Sequence, residues 1–147
     1  MGKLYIAYGS NLNLAQMAAR CPSASVYAKG ILNNWALVYR GSKTNSHATI
    51  IRKPGSSVPV LVWEIQPADE YRLDIYEGYP RYYFKRNIMV SLDSGKRKAM
   101  VYIMNEKHLP GRPSPQYIRT ILQGYMDNDM DIGIFKKSLE LNSIECK

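Results

Sequence analysis

Residues 3–21 read KLYIAYGSNLNLAQMAARC, and their pattern changes character twice. Lys3–Tyr8 is a short, apolar run, partly β-branched or aromatic, and so predicts a buried strand. It ends at Gly9-Ser10-Asn11, three residues that favour turns. Asn13 can then cap a helix, with Gln16 three positions on, and Leu14, Met17, Ala18 and Cys21 share one helical face. Pro22 stops the helix. The opening unit is therefore strand, tight polar loop, short helix.

Downstream, strands are expected at Ile31–Arg40, His47–Arg52 and Val58–Ile65, separated by Gly41-Ser42 and by Pro54-Gly55-Ser56. A helix is predicted over Pro67–Glu77, with Pro67 at its first position, Asp69 and Glu70 in its first turn, and Gly78 and Pro80 ending it. Tyr82–Leu92 and Lys96–Met104 read as a hairpin around Asp93-Ser94-Gly95. His108–Pro113 (HLPGRP) is a rigid loop. Ser114 caps a third helix with Pro115 at its first position and Tyr117, Ile118, Ile121, Leu122 and Tyr125 inward. A last short helix follows Asp131. About six strands and three or four helices, without βαβ alternation, define an α+β domain: a curled or closed sheet with helices outside.

The bulk numbers agree with one domain over residues 1–147. Hydrophobic residues make up 46% and charged residues 22% of the chain, a globular rather than a disordered composition. No apolar run is long enough for a membrane span. The first strand starts at Lys3 with no secretory segment before it, so a cytoplasmic protein is expected. Met1-Gly2 lacks the Ser or Thr at position six that myristoylation favours. Cys21 and Cys146 show no metal-ligand spacing and are expected as reduced thiols. The net charge of +8 is spread along the chain. Its one run, Lys96-Arg97-Lys98, falls at the hairpin tip and reads as a solvated face rather than a nucleic-acid patch.

Two features can carry chemistry. At Tyr8–Asn13, Gly9 lets a ligand approach the backbone, and the N–H groups that follow suit a carboxylate or a developing oxyanion; an ordinary strand-to-helix turn has the same residues. Glu77 sits in the last turn of its helix, where the macrodipole disfavours negative charge. It lies four residues after Leu73 and among Tyr76, Tyr79, Tyr82 and Tyr83. If that face is inward, desolvation raises its pKa and equips it to take and give a proton; the alternative is an exposed terminal Glu. Asp127, Asp129 and Asp131 resemble a calcium loop, but Gly133 comes one place late and Ser138 stands where Glu is needed, so a helix-capping turn is expected. Ser10 or Cys21 as nucleophile would need a histidine, and nothing in the sequence places His47 or His108 beside either.

Together these features resemble the γ-glutamyl cyclotransferase superfamily. YGSNL (Tyr8–Leu12) is similar to its substrate loop, MAARCPSA (Met17–Ala24) to the helix and turn that follow, and LDIYEGYPRYY (Leu73–Tyr83) to its catalytic segment. The resemblance runs from about Lys3 to Tyr125. It implies a small mixed β-barrel with flanking helices and no cofactor. It further implies Glu77 as general acid/base, the backbone of Gly9, Ser10, Asn11 and Leu12 as the holder of a γ-glutamyl group, Tyr83 in the same pocket, and Tyr8 and Asn11 shaping the loop. The expected partner is a small γ-glutamyl compound, with no metal, no nucleic acid and no membrane, and a monomer or homodimer. A non-catalytic binder on the same fold, a water-using amidase and a basic interaction module are the alternatives.

Overall fold

The computed structural model describes residues 2–145. Five strands, β1 (Lys3–Ala7), β2 (Ser25–Gly41), β3 (Ser46–Ile65), β4 (Tyr83–Leu92) and β5 (Gly95–Met104), form a closed barrel in the order β1-β3-β2-β4-β5. Closure is made by β1 and β5, which run parallel with Tyr5 opposite Met100. The other neighbours are antiparallel. Four helices pack around the barrel: α1 (Leu14–Arg20), α2 (Pro67–Glu77), α3 (Pro115–Asp127) and α4 (Ile132–Glu145). Ile6, Leu32, Val60, Val62, Val90 and Val101 are fully buried in the core.

The barrel has five strands where about six were expected, because Pro54-Gly55-Ser56 does not end a strand. The β2–β3 register jumps there: Asn33 pairs with Ser57 and Trp35 with Arg52, so four residues of β3 face Asn34 alone. Asn34 and Gly55 both take positive φ, 67° and 85°, and Asn34 Oδ1 accepts the Gly55 N–H at 3.1 Å. The turn chemistry is spent on a bulge that bends one 20-residue strand. The second strand also starts earlier than expected, at Ser25.

Local stop and start signals are used as read. Asn13 Oδ1 accepts the Gln16 N–H at 2.9 Å, and Ser114 Oγ accepts that of Tyr117 at 3.1 Å. Gly78 ends α2 in the left-handed region at φ 66°. On α1, Met17 and Cys21 are buried as expected, but Leu14 and Ala18 are exposed, since a seven-residue helix presents only one edge to the barrel. The acidic turn caps helices: Asp131 Oδ1 accepts the Gly133 N–H at 2.8 Å, and Asp127 Oδ2 that of Leu14 at 3.0 Å.

The last helix is longer than expected and structurally tied. Phe135 packs on Tyr125 with ring centroids 5.2 Å apart. Asn142 Oδ1 accepts the Tyr39 N–H at 3.1 Å while its Nδ2 donates to Gly111 O at 2.7 Å. These bonds hold the loop before α3 against β2. Cys146 lies outside the described residues, while Cys21 is a buried free thiol. Among the described residues no helix is long and apolar enough to cross a membrane.

Candidate active site

The site begins where β1 ends. Ser10–Leu12 form a single 3-10 turn, closed by Leu12 N–H to Gly9 O at 3.0 Å and Asn13 N–H to Ser10 O at 3.1 Å. The N–H groups of Gly9, Ser10 and Asn11 make no hydrogen bond within the described residues, as expected for the first donors of a helical turn. From above, α3 presses on this turn at Gly124, where an added Cβ would stand 2.6 Å from Leu12 Cβ and 2.8 Å from Asn13 N.

Four further hydrogen bonds fix the turn in place. Tyr8 donates its hydroxyl to Tyr102 O at 2.7 Å. Asn11 Nδ2 donates to the Tyr5 hydroxyl at 2.9 Å, and Arg20 donates to Asn11 Oδ1. Trp63 Nε1 donates to Asn11 O at 3.1 Å.

Glu77 reaches the same place from α2. Leu73, one turn earlier, is fully buried, so the face they share is inward. Asp74 anchors the helix to the barrel, accepting from Tyr102 Oη at 2.6 Å and pairing with Lys85 Nζ at 2.8 Å. At the other end of α2 the buried Asp69 accepts the Gln66 N–H at 2.9 Å and the Ser23 hydroxyl at 2.8 Å. Tyr76, next to Glu77, meets Ser10 Oγ through its hydroxyl at 3.2 Å.

Between loop and helix lies a cavity of about 510 Å³, lined by Gly9, Ser10 and Asn11 on one side and Glu77 on another. The Glu77 carboxylate makes no hydrogen bond or ion pair to a described residue. It keeps some exposed surface because it faces this open space, yet protein surrounds it closely enough to desolvate it. Burial pushes its pKa from 4.5 up to about 8, against the opposing pull of the Arg20 guanidinium. Burial, and then the negative charge of Glu77, raise the phenols of Tyr5 and Tyr8 well above their ordinary value; Tyr83 and Tyr117 are raised too, chiefly by burial. These phenols stay neutral, and their hydroxyls are engaged with protein groups. Burial lowers His47 below 6.5. Glu77 is thus a carboxyl poised near neutrality, which can act as base and acid in turn.

The structure brings Tyr8, Gly9, Ser10, Asn11, Tyr83 and Glu77 to one cavity. Leu12 is the exception. Its side chain is fully buried in the core and its N–H is already bonded to Gly9, so it supports the turn from behind. Tyr83 donates its hydroxyl to Ala48 O at 2.6 Å, so its ring rather than its OH faces the cavity. Both histidines also line the cavity, on loops and strands far from Ser10 in sequence. His47 packs edge-on to Tyr117 at 4.9 Å and His108 stacks on Tyr82 at 4.5 Å. Neither bonds to Ser10, whose hydroxyl is engaged with Tyr76. Cys21 faces elsewhere, its thiol 3.7 Å from Asp69 O. Sequence reasoning missed Tyr5, Tyr102 and Tyr117, whose aromatic side chains read as core, and Arg20, which the pattern did not single out.

The barrel thus carries, at one cavity, a carboxyl without a hydrogen-bond partner among the described residues and a turn whose first N–H groups make no hydrogen bond. A family model described as "Gamma-glutamyl cyclotransferase, AIG2-like" matches residues 5–120. The chain is 35% identical to the γ-glutamylcyclotransferase of Bos taurus over 97% of its own length and 78% of that protein's. It is 28% identical to the Homo sapiens protein of the same name, covering 88% and 73% of the two chains. A solved structure titled "Gamma-glutamyl cyclotransferase" superposes with a TM-score of 0.82 at 29% identity, over 94% of this chain and 86% of that one. The chain belongs to the γ-glutamyl cyclotransferase, AIG2-like family and is an enzyme of the cyclotransferase kind.

Proposed function

We propose that the chain binds a small γ-glutamyl compound in this cavity and converts it to 5-oxoproline and a free amine or amino acid, with Glu77 as general acid/base. The observation that carries this reading is the pairing, across one cavity, of the unpartnered Glu77 carboxyl with the free N–H groups of Gly9, Ser10 and Asn11. The substrate's α-nitrogen attacks its own γ-carbonyl. A five-membered closure of this kind gains from having nucleophile and carbonyl in one molecule. The N–H groups of the turn accept the charge that develops on the carbonyl oxygen.

The protons balance through one carboxyl. The α-nitrogen arrives as an ammonium and ends as a lactam N–H, so two protons leave it. The departing nitrogen ends as an ammonium and gains two. A carboxylate with a pKa of about 8 is matched to an ammonium donor and can return the proton to the leaving nitrogen as the C–N bond breaks. The wall of neutral tyrosines keeps that carboxyl from being permanently ionised. Gly9, Ser10 and Asn11 hold the γ-glutamyl part by their backbone; Tyr8 and Asn11 hold the turn; Tyr83 closes the wall. A panel of γ-glutamyl amino acids and γ-glutamylamines, assayed for released 5-oxoproline, tests this: at least one should be turned over by the wild-type protein and not by Glu77→Gln. Absence of 5-oxoproline from every member of the panel would overturn it.

A further inference from the structure

Arg20 lies outside the cavity wall, yet its guanidinium touches both halves of the site. Its carbon stands 3.3 Å from the centroid of the Tyr76 ring, and one of its N–H groups donates to Asn11 Oδ1. Tyr76 directly precedes Glu77. Asn11 is the last of the three cavity-lining residues whose N–H groups make no hydrogen bond among the described residues. One half-buried side chain on α1 therefore clamps the C-terminal turn of α2 to the loop after β1.

Arg20's donor chemistry also fixes the geometry it clamps. A guanidinium donates only, so it holds the Asn11 amide with its oxygen toward α1 and its nitrogen toward the Tyr5 hydroxyl. The Tyr76 ring under the guanidinium then keeps its own hydroxyl at 3.2 Å from Ser10 Oγ. These contacts form a closed circuit: Arg20 to Asn11, along the turn to Ser10, across to Tyr76, and back to Arg20. Position 20 is the last residue of its helix, where a cation is favoured by the macrodipole, so the charge is stable there without an ion-pair partner.

We propose that Arg20 is a positioning residue of the reaction: its guanidinium sets the separation between the N–H groups of the turn and the Glu77 carboxyl. The proposal rests on Glu77 as acid/base. It carries an electrostatic corollary. The titratable and charged groups around Glu77 are Arg20 from α1, Tyr5 from β1, Tyr8 before the turn, Tyr83 from β4 and Tyr117 from α3, with Tyr76, Tyr82, Tyr102, His47 and His108 on the same cavity. Arg20 is the guanidinium that acts on Glu77, and it opposes the effect of burial. Removing its charge makes Glu77 harder to ionise, so the rise of kcat/KM with pH moves to higher pH.

Three variants and two readouts test this. Arg20→Met keeps the length and loses charge and fork; Arg20→Lys keeps charge without the planar fork. In Arg20→Met, kcat/KM should fall by about 10²-fold, the order produced when reacting groups are misplaced by about an ångström, and its pH inflection should move up. In Arg20→Lys the inflection should return toward wild type while kcat/KM recovers only in part. Arg20→Met with wild-type kcat/KM and an unmoved inflection would overturn the proposal. Should Arg20→Met fail to show a thermal transition, Arg20→Gln takes its place with the same expectations. The second readout needs no turnover: the ¹³C-carboxyl resonance of Glu77 is titrated by NMR in wild type and variant. An upward-shifted titration in the charge-removing variant supports coupling of Arg20 to Glu77 even if no γ-glutamyl compound reacts. An unmoved one overturns it even if the cyclotransferase reading stands.

Discussion

In Glu77→Gln the amide keeps the shape of the carboxyl but cannot ionise, so the variant reports what charging Glu77 costs the fold. Burial raises this carboxyl from 4.5 to about 8. Between those values the folded chain holds a proton that the unfolded chain has released, so stability falls as pH rises through this window. Glu77's contribution is fully present below pH 4.5 and is lost as pH passes about 8. The linkage relation gives an upper bound of ~3 kcal/mol of lost stability at neutral pH, and about 2 kcal/mol once screening by solvent in the open cavity is allowed for. Urea unfolding of wild type and Glu77→Gln, run in parallel from about pH 5 to about pH 9, measures this directly. The stability of the variant relative to wild type should grow in favour of the variant as pH rises. The same variant should lose ~10²–10⁴ in turnover, the usual worth of general acid–base catalysis. A difference in stability that stays constant with pH would show that Glu77 is an ordinary exposed carboxylate, and the proton-transfer role would fall with it.

Other substitutions separate the parts of the site. Gly9→Val should abolish activity, because an added Cβ already stands 3.2 Å from Ala48 Cβ and 3.4 Å from the Tyr117 hydroxyl, leaving no room for a branched side chain beside a ligand; thermal melting alongside turnover distinguishes this from unfolding. Ser10→Ala should cost little, at most about 1 kcal/mol in stability and a small change in kcat/KM, since its hydroxyl only meets the half-exposed Tyr76. A loss equal to that of Glu77→Gln would reopen Ser10 as a nucleophile. Gly124→Ala should destabilise by about 1–3 kcal/mol by overpacking α3 against Leu12, readable as a lower urea midpoint, with a raised KM as the turn shifts.

The parts legible in the sequence were those set by neighbours along the chain. Asn13, Pro67, Gly78 and Ser114 act within a few residues of their own positions, so the ends of α1, α2 and α3 could be read directly. The turn and Glu77 were visible as two local oddities, a glycine at a strand end and a carboxylate at the wrong end of a helix, and their pairing was what the family resemblance implied. The bulge at Asn34 was not visible, because Pro54-Gly55-Ser56 has the same chemistry in a turn as in a bulge, and only the partner strand decides. The tyrosine wall was hidden for a related reason: Tyr5, Tyr102 and Tyr117 have the residue type and spacing of core positions, and only barrel closure for the first two, and the packing of α3 for the third, brings them to a cavity. His47 reaches that cavity from the start of β3, opposite Arg40, and His108 because the loop before α3 folds back onto β2, where Gly41 N–H donates to Leu109 O at 2.9 Å. Arg20 gave no signal at all, since its partners Asn11 and Tyr76 stand nine and fifty-six positions away and only the folded chain brings them together.

The central claim is that the attacking group belongs to the substrate and that Glu77 serves it, with no water entering the acyl product. Turnover of a γ-glutamyl compound in ¹⁸O-labelled water, followed by mass spectrometry of the products, tests this most directly. Cyclisation should give 5-oxoproline free of label and no glutamate formed ahead of it. Labelled glutamate as the first product would mean that Glu77 activates water and that the chain is an amidase built on this barrel.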